Sequence, residues 1–380
     1  MKYVDEFRDP GQAKKILKAI AKLCSEIKLA EDRPIQIMEV CGGHTHSIFR
    51  YGLNQLLPEK LDFVHGPGCP VCVLPRSVID NCIRIAENEN VIFTTFGDAM
   101  RVPGSSKSLL DVKAEGCDIR MVYSPLDALT LAKKNPEKRV VFFGLGFETT
   151  MPSTALSVMQ AEKEGVDNFY LFCNHITIIP TIKAVLDSPG MRIDGFLGPG
   201  HVSLIIGTKP YDFIAHEYHK PLVAAGFEPL DILQSVWMIL KQLKNGEAKI
   251  ENQYARLVKD TGNASALNPI ATVFELRDFF EWRGLGSINH SGVKVNEKYR
   301  AFDAEIEFNL KAVTVIDPDV CQCGEVLKGI LKPWQCKVFG KGCTPETPLG
   351  ALMVSTEGAC SAHYSYGKNI DLINIKTQEQ

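Results

Sequence analysis

Three short segments collect the residue types that ligate soft metals or carry electrons. The first is "CGGHTH", in which Cys41 is followed by two glycines and then by His44 and His46. A thiolate and an imidazole in one loop can bind a soft-to-borderline cation such as Fe(II). The same pair can make a cysteine nucleophile, with His44 lowering the thiol pKa. The second segment is "GPGCPVC", a C-x-x-C pair, Cys69 and Cys72, set among glycines and prolines. That spacing suits a dithiol that cycles with a disulfide, or half of a metal site completed by Cys41, His44 or His65. The third runs from "CQCGEVLKG" to "CTPETPLGALMVSTEGAC" and holds Cys321, Cys323, Cys336, Cys343 and Cys360. Four thiolates from one compact segment can hold an iron–sulfur cluster or zinc. The paired C-x-x-C knuckles of zinc ribbons are absent, and the wide, irregular spacing favours a [4Fe–4S] cluster. Spacing does not choose between Cys321 and Cys323 as a ligand.

Two further polar motifs carry weaker signals. "GFETT" places Glu148, Thr149 and Thr150 where they could position a ligand or a proton, or where threonine could cap a helix. "GPGHVS" supplies His201 and Ser203. No phosphate-binding glycine loop of the G-x-x-x-x-G-K-[ST] kind occurs, so a nucleotide site is not indicated. Cys24, Cys82, Cys117 and Cys173 lie in apolar runs and read as small buried hydrophobes.

The bulk composition sets bounds on what these motifs serve. At 380 residues the chain is long enough for two or three domains. With 45% hydrophobic and 23% charged residues and a net charge of −3, nothing points to a nucleic-acid or anionic-membrane surface. The N-terminus lacks the apolar core of a signal peptide, and no apolar run approaches the roughly 20 residues of a membrane span. A cytoplasmic location is expected. In that reducing setting twelve cysteines point to metal binding or redox chemistry before structural disulfides.

The elements that must hold these motifs follow from periodicity. "GQAKKILKAIAKLCSEIKL" has apolar residues at helical spacing, predicting an amphipathic helix within 1–34 that packs on another domain. Then come β-type runs alternating with helical patterns. "IQIMEV", "LDFVH", "NVIFTT" and "DIRMVY" form one set, and "RVVFFG", "NFYLFCN", "IDGFLG" and "PLVAA" a second. Alternation of buried strand and helix predicts an α/β protein with parallel sheets. Chain order suggests one α/β domain over 35–130 and another over 131–228. A helical segment over 229–310 and a Cys-rich domain over 311–380 would follow. In open α/β sheets, sites gather at the carboxyl ends of strands, and four polar motifs here follow such ends.

Taken in order, "CGGHTH", "GPGCPVC", "GFETT", "GPGHVS" and the terminal cysteine segment resemble the HypD family of hydrogenase maturation proteins, over about residues 35–366. The resemblance implies a cytoplasmic scaffold for building the Fe(CN)2CO group of [NiFe] hydrogenases. Two α/β domains would surround a central cleft, with a small Cys-rich domain carrying a [4Fe–4S] cluster. Iron would be bound by Cys41, with His44 close by, and shared with the small chaperone HypC. HypE would deliver cyanide into the cleft from a thiocyanate on its C-terminal cysteine. Cys69 and Cys72 would be a redox pair working with the cluster, and Glu148, Thr149 and His201 would line the cleft. A cluster passes electrons singly whereas a dithiol holds two, which suits reductive cleavage of a thiocyanate. This describes an assembly factor with thiol-redox activity. The competing readings are a stand-alone dithiol oxidoreductase with an iron–sulfur electron entry, and a structural zinc protein.

Overall fold

The structure is a computed structural model that describes residues 5–310, 315 and 320–367. Parts of the expected N-terminal and Cys-rich segments, at 1–4, 311–314, 316–319 and 368–380, lie outside the described residues. All eight expected strand runs form strands. They are β1 (Ile35–Glu39), β2 (Leu61–His65), β3 (Val91–Thr95), β4 (Ile119–Met121), β5 (Arg139–Gly146), β6 (Phe169–His175), β7 (Gly195–Pro199) and β8 (Leu222–Ala225). A ninth, β9 (Ile250–Asn252), was not anticipated; it is short and only half-buried at a sheet edge.

Two parallel sheets result, as the fold class predicts, but chain order does not sort the strands. One sheet has the order β2-β1-β7-β8-β9 and the other β4-β3-β5-β6. The chain lays down two strands of the first sheet, builds all four described strands of the second, and returns to the first. The expected split between 35–130 and 131–228 therefore cuts across both sheets. The return is set by β1, which pairs with β2 on one side and with β7, distant in sequence, on the other.

The helix Pro10–Glu26 is capped by the Asp9 carboxylate, which accepts from the Gln12 N–H at 2.7 Å. Ile20 and Cys24 on its buried face share a core with the helix Pro229–Asn245. Beyond that second helix, the reading of 274–282 as helical is overturned. The helix Ala264–Val273 stops, and Phe274–Leu276 pairs antiparallel with Val293–Val295 while Phe279–Trp282 pairs with Gly286–Asn289. The alternation in this phenylalanine-rich run fits a strand. Gly284 and Gly286, at φ +77° and +79°, let the chain reverse where other residues would be strained.

The Cys-rich segment does not build a core of its own. Its Val326, Leu327, Leu352, Met353, Val354 and Ala359 belong to the same buried cluster as Met38, Val64, Phe143 and Leu145 of the two sheets. Both sheets and the terminal segment are thus fastened around one apolar interior. Of the four cysteines read as buried hydrophobes, Cys24, Cys82 and Cys173 are buried and Cys117 is half-buried.

Candidate functional site

Each of the four polar motifs follows the carboxyl end of a strand: Cys41 after β1, Gly66–Cys72 after β2, Glu148 after β5 and His201 after β7. Three come from the first sheet and one from the second.

Cys41 is the N-cap of the helix Gly42–Arg50 and is buried. Burial pushes its thiol up to about 12, and the nearby Glu357 and Glu39 carboxylates add to that, against a pull downward from the N–H groups of Gly43 and His44. Without a cation beside it, Cys41 is therefore a protonated thiol. A bound metal ion reverses that balance, because the thiolate is the ligand form. The Cys41 N–H donates to Glu39 Oε2 at 3.0 Å, and Glu39 Oε1 accepts from the Thr45 hydroxyl and meets His65 Nδ1 at 2.9 Å. Glu39 is completely buried and escaped the sequence reading. Its only signal was a carboxylate closing an apolar strand.

His44 directs Nε2 at two backbone carbonyls, Ala225 at 3.2 Å and Gly226 at 3.0 Å. Carbonyls only accept, so Nε2 carries the proton and Nδ1 keeps its lone pair. Burial holds the ring below its ordinary pKa, so it is neutral at neutral pH. Its ring stacks on Phe227 at 4.7 Å, and His201 stacks on the same phenylalanine at 3.9 Å. His201 joins the site through that stack while its outer face stays exposed. His46 turns away, its ring meeting Tyr366 edge-on.

The "GPGCPVC" loop lies directly on Cys41. The Gly66 N–H donates to the Glu39 carbonyl at 2.9 Å, and the Gly68 carbonyl accepts from the Gly42 N–H at 3.1 Å. Cys69 and Cys72 are paired as a disulfide with Cα atoms 5.2 Å apart, and both are buried. Neither the sequence nor the spacing foretold what touches this pair. The segment Ser355–Cys360 runs past it: a methyl group placed on Gly358 would sit 2.9 Å from Cys72 Sγ. One residue earlier, Glu357 packs on Gly42, next to Cys41. Two residues later, Cys360 lines a pocket together with Cys321, Cys323, Cys336 and Cys343.

That pocket holds all five terminal cysteines, with Val326, Val338, Phe339 and Met353 as its apolar wall. Cys321 and Cys323 stand with sulfurs 3.1 Å apart, and a methyl group on Gly350 would lie 2.5 Å from each. Gly350 is thus a bare floor under both sulfurs. A hydrogen bond from Cys321 and then burial hold the Cys323 thiol up, and burial does the same for Cys343 and Cys360. Among the described residues, no three His, Cys, Asp or Glu side chains converge closely enough for a single ion. The five thiols line one pocket without closing on a single point.

Glu148, from the second sheet, is buried, and burial raises its carboxyl to about 7. Its Oε1 accepts from the Ile178 N–H at 3.0 Å, while Oε2 is buried with no partner. Thr149 beside it is exposed. Thr150 is the N-cap residue of the following helix, but its side chain makes no cap hydrogen bond; its hydroxyl donates to the Leu145 carbonyl at 3.2 Å. Tyr211, fully buried, accepts from the Ser203 hydroxyl at 3.3 Å, and burial first, then Glu148 and Cys41, push its pKa up.

The Glu148 shift has a measurable consequence. Folding takes up a proton between the ordinary value of 4.5 and about 7. The contribution is complete below about 4.5 and is lost as pH rises through about 7. The loss is on the order of 3 kcal/mol. Glu148→Gln is expected to flatten that part of the stability curve, measured by denaturant titration at several pH values. Parallel curves for the variant and the unmodified protein would contradict the burial of a titrating carboxyl.

Comparison with known proteins adds a second line of evidence. The family described as "HypD: Hydrogenase formation hypA family" matches residues 12–367. The chain is similar to proteins named hydrogenase maturation factor HypD from several bacteria. It is 60% identical to the one from Rhodobacter capsulatus, covering 97% of this chain and 98% of that one. It is 55% identical to that of Escherichia coli K12, covering 96% and 98%. It is 48% identical to that of Cupriavidus necator, covering 98% and 99%.

Proposed function

The chain belongs to the HypD family of hydrogenase maturation factors, and from that premise we propose that it is the scaffold and redox factor on which the Fe(CN)2CO group of [NiFe] hydrogenases is assembled. Iron is its cargo, bound through Cys41 and shared with HypC, and HypE brings cyanide as a thiocyanate on a cysteine. The observation that carries this reading is the segment Ser355–Cys360. It touches Gly42 beside Cys41, then Cys72, and ends in Cys360 at the five-thiol pocket. A cargo thiol, a two-electron couple and a cysteine pocket are thus linked by six residues.

The donor set fits a [4Fe–4S] cluster: thiols distributed around an apolar space, of which four are needed. Cys336, Cys343 and Cys360 would hold it with Cys321 or Cys323. When bound, such a cluster supplies electrons one at a time. The chain's own part is the Cys69/Cys72 couple. As a dithiol it holds two electrons and two protons. With a thiocyanate R–S–CN the S–CN bond breaks, R–SH and HCN form, and Cys69 and Cys72 are oxidised to the disulfide. Cyanide then loses its proton on binding iron, and Glu148, titrating at about 7, is suited to take it. Burial of both Cys69 and Cys72 argues against a generic protein disulfide as substrate. It favours a slender carrier end that can enter the cleft. No helix among the described residues is long and apolar enough to cross a membrane.

The test is to co-express the chain with HypC and HypE, purify the complex without oxygen and record its infrared spectrum. Bands of iron-bound CN and CO are expected, and their absence with stoichiometric iron present would overturn the reading. For the terminal thiols, Cys336→Ser is expected to remove the visible absorbance and the EPR signal of a reduced iron–sulfur cluster. Full retention of both would exclude Cys336 as a ligand.

A further inference from the structure

His44 has one free nitrogen, and the structure shows what decides which one. The Ala225 and Gly226 carbonyls that accept from Nε2 belong to the last residue of β8 and the residue that follows it. That segment is held from behind. The Gly226 N–H donates to Gln253 Oε1 at 3.2 Å, and Gln253 Nε2 donates to Asp231 Oδ1 at 2.8 Å. Asp231 also fills the space where Gly226 lacks a side chain: a methyl group there would lie 2.6 Å from Asp231 Cγ. Arg256 grips both oxygens of Asp231, at 2.8 and 2.7 Å. Its guanidinium packs against the rings of Phe7 at 4.0 Å and Tyr254 at 4.5 Å. Asp231 is completely buried.

A buried ion pair is a poor way to gain stability, because desolvation offsets much of its attraction. It is a good way to fix geometry. The fork of Arg256 admits one orientation of the carboxylate, which sets Gln253, which sets the Gly226 peptide. We propose that Asp231 and Arg256, acting through Gln253 and the Gly226 peptide, are positioning residues that commit His44 to its Nε2–H form with Nδ1 left unpartnered. Nδ1 is buried with no hydrogen-bond partner, on a ring in the first turn of the helix that Cys41 caps. The lone pair is thereby reserved for the Cys41 thiol proton or for a donor on the incoming ligand. Phe227, the next residue along the same segment, holds the ring's face. The tautomer assignment stands on hydrogen bonding alone, whereas its use in iron loading rests on the function proposed above.

Nitrogen NMR of the full-length protein labelled with 15N-histidine, purified without oxygen, tests this directly. The His44 signals are assigned by their loss in His44→Gln. The unmodified protein is expected to show His44 neutral with the proton on Nε2. Asp231→Asn and Arg256→Met are expected to give a mixture of the two tautomers, with near-ultraviolet circular dichroism unchanged. Gln253→Leu cuts the link to Gly226 while leaving the ion pair, and is expected to give the same mixture if Asp231→Asn does not fold. Lys183→Gln, whose side chain pairs with Glu217 at the exposed surface, is the unaffected control. A protonated Nδ1 in the unmodified protein, or a pure Nε2–H signature in folded Asp231→Asn and Gln253→Leu, would overturn the proposal. Iron-group loading in the same variants is expected to fall about tenfold, the scale seen when a metal-site histidine loses its outer hydrogen-bond partner. A changed tautomer with undiminished loading would uphold the positioning role and count against His44 in loading.

Discussion

Cys41→Ala, co-expressed with HypC and HypE and purified without oxygen, is expected to lack the infrared bands of iron-bound CN and CO while keeping the visible absorbance of the cluster proposed for the terminal cysteine pocket. The two outcomes separate because the two thiol groups sit in different places. Cys41 caps a helix of the first sheet, whereas the other five cysteines share one pocket in the terminal segment. Removing the sulfur leaves Glu39 engaged by three donors and His44 with only its Nδ1 lone pair, its Nε2 being held by two carbonyls. Neither offers a soft ligand for low-spin iron. The fold should tolerate the change, since alanine can follow the extended backbone at this N-cap and no side-chain cap is lost. Loading that persists in Cys41→Ala would show that the cargo binds elsewhere.

Gly68→Ala is expected to abolish loading without touching any cysteine. The added methyl group would lie 2.5 Å from the Cα of Cys41 and closer still to the neighbouring peptide. Those are backbone atoms at the end of a buried strand, so they cannot move aside as a side chain would. The loop must lift, and with it go the Gly42 to Gly68 hydrogen bond and the packing of Gly68 on the Cys41 backbone. Overpacking of this kind costs about 1–3 kcal/mol, so a lower melting temperature should accompany the loss. A thiol titration of purified Gly68→Ala should still find a Cys69/Cys72 couple that oxidises and reduces, because the pair is local to its own loop. Undiminished loading would mean that the two motifs work independently.

The strands were legible because parallel strands buried on both faces read as apolar runs between helical stretches. Ile250–Asn252 failed that test, being a half-buried edge strand of three residues. Residues 274–282 misled because aromatic residues next to a true helix can be counted on either period, and the glycine reversal at 284–286 decides the matter only once the partner strand is in place. Which strands share a sheet could not be read at all. β1 lies between β2 and β7, and nothing within five residues of Ile35–Glu39 names β7 as its neighbour.

The candidate site divides along the same line. Cysteine and histidine framed by glycine and proline announce themselves, so Cys41, His44, Cys69, Cys72 and the terminal thiols could be picked out one by one. Carboxylates do not, because a single Glu or Asp is ordinary until something is packed against it. Glu39, Glu357 and Asp231 went unnoticed for that reason. The sequence by itself determined the inventory: which thiols exist, that Cys41, Cys69 and Cys72 follow strand ends, and that the chain is an α/β protein. The tertiary structure alone decided which of them meet. Local pattern encodes local hydrogen bonds and the period of burial, whereas the approach of Gly358 to Cys72 and of Gly226 to His44 arises from packing apolar cores with segments far apart in the chain.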